Sequence, residues 1–409
     1  MALIRFQYFQ SKLSVRTHKL KMRRQRWLVA HLWLGLSFGL LLSIYGLTGS
    51  VLVFNPELDE FLHPELLKVD VSSHSKYCSL KEIFNAGRTE MPQNAKLTFA
   101  TYPRNEYAAV QLRFTLENGD GVIEQWLVAV NPYNAQVIGK QFVSRSSDWL
   151  PSTFIGVIFE LHYALLMPWS FSTPIVGLSA MLLIISILTG LIVWWPLSSK
   201  WHQALTLKLG AGNARFNYDL HKISGFYTAV VLIPVLFSGV YMVLPNNVVP
   251  VLELFSPVTY RYWFESSAPN SAVSGISIEK AVEIALQRYP EGRPNMIYGV
   301  SEKRDAYTVC QNGVHSPNTL LDRRCVVIDQ YSGKLLDIDD PSIGSAGEVF
   351  THWQWPLHSG QAFGMAGRIL VFISGLACPV LYVTGLIRWL QKRRAAKQHQ
   401  ARQSANRVC

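Results

Sequence analysis

The chain has 409 residues, 49% hydrophobic and 12% aromatic, with a formal net charge of +11. Length alone admits two or three soluble domains. Four uncharged runs, at 32–55, 161–199, 223–252 and 369–387, are each enough to cross a ~30 Å hydrocarbon core and exclude a purely soluble chain. The basic excess is no nucleic-acid signature, because no basic patch alternates with exposed aromatics in a soluble segment.

Residues 1–26 form a basic N-terminus, and 1–30 hold eight Lys/Arg and no acid. The apolar core that follows is longer than the roughly 7–15 residues of a cleaved signal peptide, so it reads as an uncleaved signal anchor. The first span, 27–55, opens with His31. Gly35 follows four residues later and Gly49 eighteen later, about one and five helical turns, so all three share a helix face. Segment 56–160 reads as a small α+β domain. Ser79 and Glu82 make a capping box that opens a short helix, and alternating stretches at 107–114 and 124–130 read as strands. In segment 161–196, Leu161-His162 precedes the second span, which closes in Thr189-Gly190-Leu191-Ile192-Val193-Trp194.

A loop at 197–220 carries three basic residues and one acid, Asp219. The third span, 221–245, repeats the first: His221, then Gly225 after four residues and Gly239 after eighteen. Segment 246–355 again reads as α+β. Ser277 precedes a helix with Ile278, Ala281, Val282, Ala285 and Leu286 on one face, and strands follow at 306–310 and 325–329. Segment 356–391 holds Leu357-His358 and a fourth span ending in Thr384-Gly385-Leu386-Ile387-Arg388-Trp389. Pro234 and Pro379 lie inside spans and should kink them. A basic tail occupies 392–409.

The halves 31–194 and 221–389 carry the same marks in the same order, as an internal duplication with parallel halves does. A turn and strand pair also recurs, aligning Asn131 with Asp329, Ala135 with Gly333 and Val137 with Leu335. The two long connections, 55–171 and 246–365, hold 18 basic and 26 acidic residues, whereas the short segments are basic. The positive-inside rule then puts both termini and the middle loop in the cytoplasm and both long connections outside. The expected fold is an α-helical membrane protein with four transmembrane helices as an internal duplication and two small α+β domains outside.

No C-x-x-C or C-x-x-C-H occurs among the five cysteines, which argues against covalently attached haem and iron–sulfur clusters. Cys310 and Cys325 close the arms of a hairpin; a disulfide there suits an oxidising compartment, and their pairing stays open. Cys378 reads as packing.

Four histidines occupy matching places: His31 and His221 at the inner ends of spans one and three, His162 and His358 at the outer ends of spans two and four. A single histidine near a membrane interface is ordinarily a packing residue; four in matching pairs point to ligation. Two imidazoles on neighbouring helices can hold one haem iron axially and leave no open position, which suits electron transfer. The expected cofactors are two non-covalent b-type haems, one on His31 and His221, the other on His162 and His358. Gly35 and Gly225 would make room for the porphyrin, or serve close helix packing. Lys222, Arg368 and Arg26 are candidate propionate partners, with surface snorkelling the plainer reading. His202 and His352 lack repeat partners and rank lower; His18, His63, His74, His315 and His399 read as solvated. Two histidines without a nearby cysteine or carboxylate fall short of a zinc site.

The duplicated H-x-x-x-G spans, the Leu-His before spans two and four, the T-G-L-I-x-W span ends and the strand turn together resemble the PepSY-associated transmembrane family. The resemblance covers about 30 to 390. Asn131, where the turn usually has Asp, and an extra loop at 311–324 depart from the pattern. The resemblance implies a bacterial inner-membrane protein linked to iron acquisition, and a haem-dependent reductase of periplasmic ferric siderophores. No G-x-G-x-x-G follows a strand, so electrons must come from a separate donor, a quinol or a cytosolic reductase. The rival readings are a non-redox module that binds or inhibits a periplasmic partner such as a protease, and an iron-complex permease. Against the permease, the spans hold almost no buried charge.

Overall fold

The computed structural model describes residues 2–71, 76–196, 201–210, 212–259, 264–267, 274–313 and 323–408, with the side chains of 2–21 and 405–408 outside that description. In chain order the elements are α1 (Ala2–Val53), α2 (Asn55–Leu62), α3 (Pro64–Leu67), α4 (Leu80–Thr89), β1 (Lys96–Thr101), β2 (Val110–Glu117), β3 (Ile123–Val130) and β4 (Val137–Arg145). Then come α5 (Phe154–Ala164), α6 (Trp169–Trp194), α7 (Trp201–Leu205), α8 (Asn213–Val243) and α9 (Pro245–Glu253). The last are α10 (Ile278–Arg288), β5 (Arg293–Tyr298), β6 (Ala306–Asn312), β7 (Arg324–Asp329), β8 (Leu335–Asp339), α11 (Ala346–Ser359) and α12 (Gly364–Val408). Contacts divide the chain into a helical unit, Met1–Val53, Leu161–Pro245 and Trp355–Cys409, and a sheet unit, Phe54–Glu160 and Asn246–Gln354.

Among the described residues, four helices of the helical unit are long and apolar enough to cross a membrane: Met22–Val53, Trp169–Trp194, Asn213–Val243 and Gln361–Ser404. The hydrophobic effect does not drive helices together in lipid, so close packing and interhelical hydrogen bonds must. Around the bundle each long helix touches two others, in the order α1, α6, α8, α12 and back to α1. α1 and α8 therefore share one diagonal, α6 and α12 the other. Where α1 meets α12 the backbones nearly touch. A Cβ at Gly46 would lie 2.6 Å from Cys378 Cβ and from the Gly375 carbonyl, and one at Gly375 would strike Ser50. Ser50 Oγ donates across the interface to the Phe372 carbonyl at 2.8 Å. Cys378 is fully buried there, a packing residue as expected. Trp194 stacks on Phe226 with ring centroids 4.1 Å apart, tying α6 to α8. Pro174, Pro234 and Pro379 sit inside helices that continue through them. Pro379 has no N–H for the Gly375 carbonyl, which is the group turned toward Gly46.

The sheet unit is one antiparallel sheet of eight strands, ordered β4-β3-β2-β1-β5-β6-β7-β8. Among the described residues each long connection supplies four strands and one packed helix; alternation in the sequence marked β2, β3, β6 and β7, and left β1 and β5 unmarked. The two sets, expected as separate domains, join edge to edge through β1 and β5, at Phe99–Tyr298, Ala100–Ile297 and Thr101–Met296. One core serves both: Ile83 and Phe84 of α4 and Ala281, Val282 and Ala285 of α10 pack with Leu112, Phe114, Val309 and Ile328 of the sheet. The reason lies in edge chemistry: β1 and β5 each carry a free row of backbone groups, and pairing them removes two exposed edges. The Ser79 capping box forms in full, with Ser79 Oγ accepting from the Glu82 amide and the Glu82 carboxylate accepting from the Ser79 amide. Cys310 and Cys325 face each other across β6 and β7 and are disulfide-bonded. Most of the 311–324 loop lies outside the described residues.

Candidate functional site

α1 carries His31 and α8 carries His221, on opposite ends of one diagonal of the bundle. Their ring centroids are 6.2 Å apart and their planes 62° apart. His162 closes α5 and His358 closes α11, just before α6 and α12. Those rings are 6.0 Å apart at 67°. The four sequence-predicted ligands thus meet as two facing couples, in the expected pairings. His31 and Thr48, which holds His162, are separated by about 25 Å of helix rise along α1.

Each ring is held by a different helix in the same way. His31 Nδ1 donates to the Ser186 carbonyl of α6 at 2.9 Å, with Thr189 Oγ1 at 3.4 Å. His221 Nδ1 donates to the Leu381 carbonyl of α12 at 3.0 Å, with Thr384 Oγ1 at 3.0 Å. His358 Nδ1 donates to the Val235 carbonyl of α8 at 2.9 Å, with Ser238 Oγ at 3.1 Å. His162 Nδ1 lies 2.9 Å from Thr48 Oγ1 of α1, and the carbonyl three residues earlier, that of Tyr45, also accepts from this ring. Every hydroxyl in turn donates to a carbonyl of its own helix, so it accepts from the imidazole. A carbonyl can only accept. The proton is therefore fixed on Nδ1, and Nε2 keeps the lone pair that a metal takes.

The residue after each hydroxyl is glycine, and the ring lies over it. A Cβ at Gly190 would sit 2.8 Å from His31 Cε1, at Gly49 3.0 Å from His162 Cε1, and at Gly239 and Gly385 3.3 Å from the Cε1 of His358 and His221. Four Ser/Thr-Gly pairs, 48–49, 189–190, 238–239 and 384–385, thus make four equivalent cradles. Sequence reasoning noted some of these residues as repeat marks and missed their role; the recurring dipeptide was the available signal. It placed Gly49 and Gly239 on the faces of His31 and His221, whereas they support the other couple. A Cβ at Gly35 would meet nothing within 4 Å, and one at Gly225 only Leu381 at 3.6 Å, so neither glycine is a tight helix contact.

An imidazole nitrogen lies about 1 Å from its ring centre and about 2 Å from a metal it ligates, so two rings sharing one metal stand ~6 Å apart. Both couples have this spacing, and each offers two neutral nitrogens and no other protein donor. Among the described residues no group of three or more His, Cys, Asp or Glu could hold a metal ion. Two imidazoles facing each other at this spacing are a donor set that a haem iron could take.

The charged candidates have other partners in this structure. Lys222 Nζ donates to Asp219 Oδ1 and to the Gln203 carbonyl, each at 2.9 Å. Asp219, fully buried, also accepts from Arg215 Nε at 2.9 Å. Arg368 Nη2 donates at 2.8 Å to the Val53 carbonyl and so satisfies the C-terminus of α1. Arg26, His202 and His399 are exposed. His352 is buried in the sheet unit, with Nδ1 3.3 Å from Asp339 Oδ1, and His63 lies 3.8 Å from Glu65. His74, His315 and the side chain of His18 lie outside the described residues.

No match was found among curated proteins. The model of the PepSY-associated TM region matches residues 28–392, which contain the second and third spans, most of the first and fourth, all four cradles and the sheet, and the chain belongs to that family.

Proposed function

We propose that this protein is a di-haem transmembrane electron conduit that reduces a ferric siderophore outside the cell's inner membrane and releases Fe(II). The observation that carries the reading is the fourfold cradle: in each, a Ser/Thr-Gly pair and a carbonyl hold Nδ1 and leave Nε2 to ligate. His31 and His221 would hold one b-type haem, His162 and His358 the other. Held there by two imidazoles, haem would supply a one-electron carrier, suited to electron transfer over oxygen chemistry. The protein's own part is to fix tautomer and ring position and to keep both couples inside an apolar bundle. Lys222 and Arg368 stand near the two couples in sequence, and propionates would compete there with Asp219 and the Val53 carbonyl.

The charge distribution supports an inner-membrane placement with cytoplasmic termini and a periplasmic sheet unit. The net reaction takes one electron from a quinol or a cytosolic reductase and converts chelated Fe(III) to Fe(II). A chelate of hard oxygens holds Fe(II) more weakly, so the metal leaves. Spectra of the purified protein, oxidised and dithionite-reduced, test the cofactor. His31→Ala and His162→Ala should each remove about one haem equivalent, from different sites, and abolish Fe(II) release measured with a ferrous trap. Full haem content in both variants would overturn the ligand assignment. A wild-type protein without a Soret band would leave the non-redox reading in its place.

A further inference from the structure

The four cradles share a Ser/Thr-Gly pair, and their largest difference lies in the residue that supplies the carbonyl. The residue three positions before the hydroxyl, whose carbonyl accepts from the ring, is Ser186, Leu381, Val235 or Tyr45, and only Tyr45 is aromatic. Its ring stands edge-on to His162, centroids 6.2 Å apart and planes 78° apart. Tyr45 is buried, and its hydroxyl lies 2.9 Å from Ser179 Oγ. Ser179 donates to the Val176 carbonyl, so the phenol proton goes to Ser179. That bond anchors the Tyr45 ring to α6. At the matching place beside His358 stands Val235, which can neither stack nor reach across.

A second difference falls on the same side. After His358 the chain turns through Gly360 and Gly364, at φ 76° and 58°. After His162 it turns through Leu165 and Leu166, at φ 52° and 57°, where a side chain strains the backbone. Such strain marks a position the surrounding structure over-determines.

We propose that Tyr45 is a positioning residue for His162. Its ring edge, pinned through Ser179, sets the plane of that imidazole, whereas His358 is held by its cradle alone. The two ligands of this couple are thereby inequivalent, and this couple differs from His31 and His221. The inference rests on the haem reading above, since ligand-plane orientation is read out by the low-spin ferric iron between the rings.

The test is electron paramagnetic resonance of the full-length, haem-loaded protein, with haem content measured alongside. His162→Ala identifies the signal of this couple by its loss. Tyr45→Val, which copies Val235, should shift that signal and leave the other in place. Tyr45→Phe, which keeps the ring and drops the hydroxyl, should move it less. A Tyr45→Val spectrum that superimposes on wild type, or one in which both signals move alike, overturns the proposal. If Tyr45→Val does not fold, Tyr45→Phe and Ser179→Ala decide: a shift confined to the same signal supports the role, and no shift in either overturns it. A wild-type protein that binds no haem fails the parent reading instead, which is a separate outcome.

Discussion

At the scale of single residues, the glycines of the cradles grade the consequences of one added methyl. The ring must move when Cβ approaches within 3 Å and barely needs to at 3.3 Å. Under the proposed di-haem function, Gly190→Ala should therefore lower haem occupancy of the His31 and His221 couple markedly, while Gly239→Ala lowers that of its own couple less; haem stoichiometry by pyridine haemochromogen reads both. Asp329 shows a residue-scale effect in the sheet unit. Burial alone would raise its carboxyl, but the amides of Ser332, Ser267 and Tyr331 and the Ser267 hydroxyl outweigh burial and hold it well below the usual carboxylate range. A depressed value in the folded state means stability that is present above about pH 4 and lost as pH falls further. Asp329→Asn copies Asn131, whose side chain accepts from the Tyr133 amide in the equivalent turn. It should keep the turn, lower stability at neutral pH by about 1–2 kcal/mol and flatten the acid dependence. Hydrogen exchange of β6 and β7 amides from about pH 3, roughly one unit below the unfolded value, up to about pH 7 would measure both.

At the scale of elements, what decides the bundle is how closely α1 approaches α12. Gly46, Ser50 and Gly375 let the two backbones meet, and Ser50 bonds across to the Phe372 carbonyl. Neither Cys378 nor the Gly375 backbone can yield to a side chain at 46. Gly46→Val should cost roughly 1–3 kcal/mol through overpacking and, by shifting the α1 backbone, loosen His162, which α1 holds through Thr48 two residues further on. A lower midpoint of thermal unfolding in detergent is the expected result and, under the proposed di-haem function, earlier loss of the haem proposed for His162 and His358; an unchanged midpoint would count against close backbone packing here. Spans, capping helices and strand alternation were legible because each rests on local chemistry: apolar length, a Ser/Glu pair, a period of two. The histidine couples were legible because repetition marked them. The cradles were not, because a Thr-Gly or Ser-Gly pair in a helix carries no sign of which ring from another helix will lie over it.

At the scale of the whole molecule, the same limit hid the joining of the two outer segments. Nothing in either stretch of sequence names the partner of β1, since edge pairing is a backbone affair and leaves side chains free. Yet the joint shapes the stability of the sheet unit, because α4 and α10 share one core beneath it. Arg88 and Glu279 bridge those two helices at 2.7 Å, an exposed contact that adds little. The tight point is Gly299, immediately after β5. Its amide donates to the Thr98 carbonyl at 2.8 Å, and a Cβ there would lie 2.1 Å from the Leu97 carbonyl oxygen. Backbone cannot step aside as a side chain can. Gly299→Ala should therefore open the β1–β5 pairing and destabilise both sets of strands, although the substitution touches only one. If the sheet is a single cooperative body, amides in β2 and β6 will lose exchange protection by the same factor. If β6 alone weakens while β2 keeps its protection, the two sets fold independently and their shared core contributes little. The second outcome would return the unit to the two separate domains that its sequence suggests.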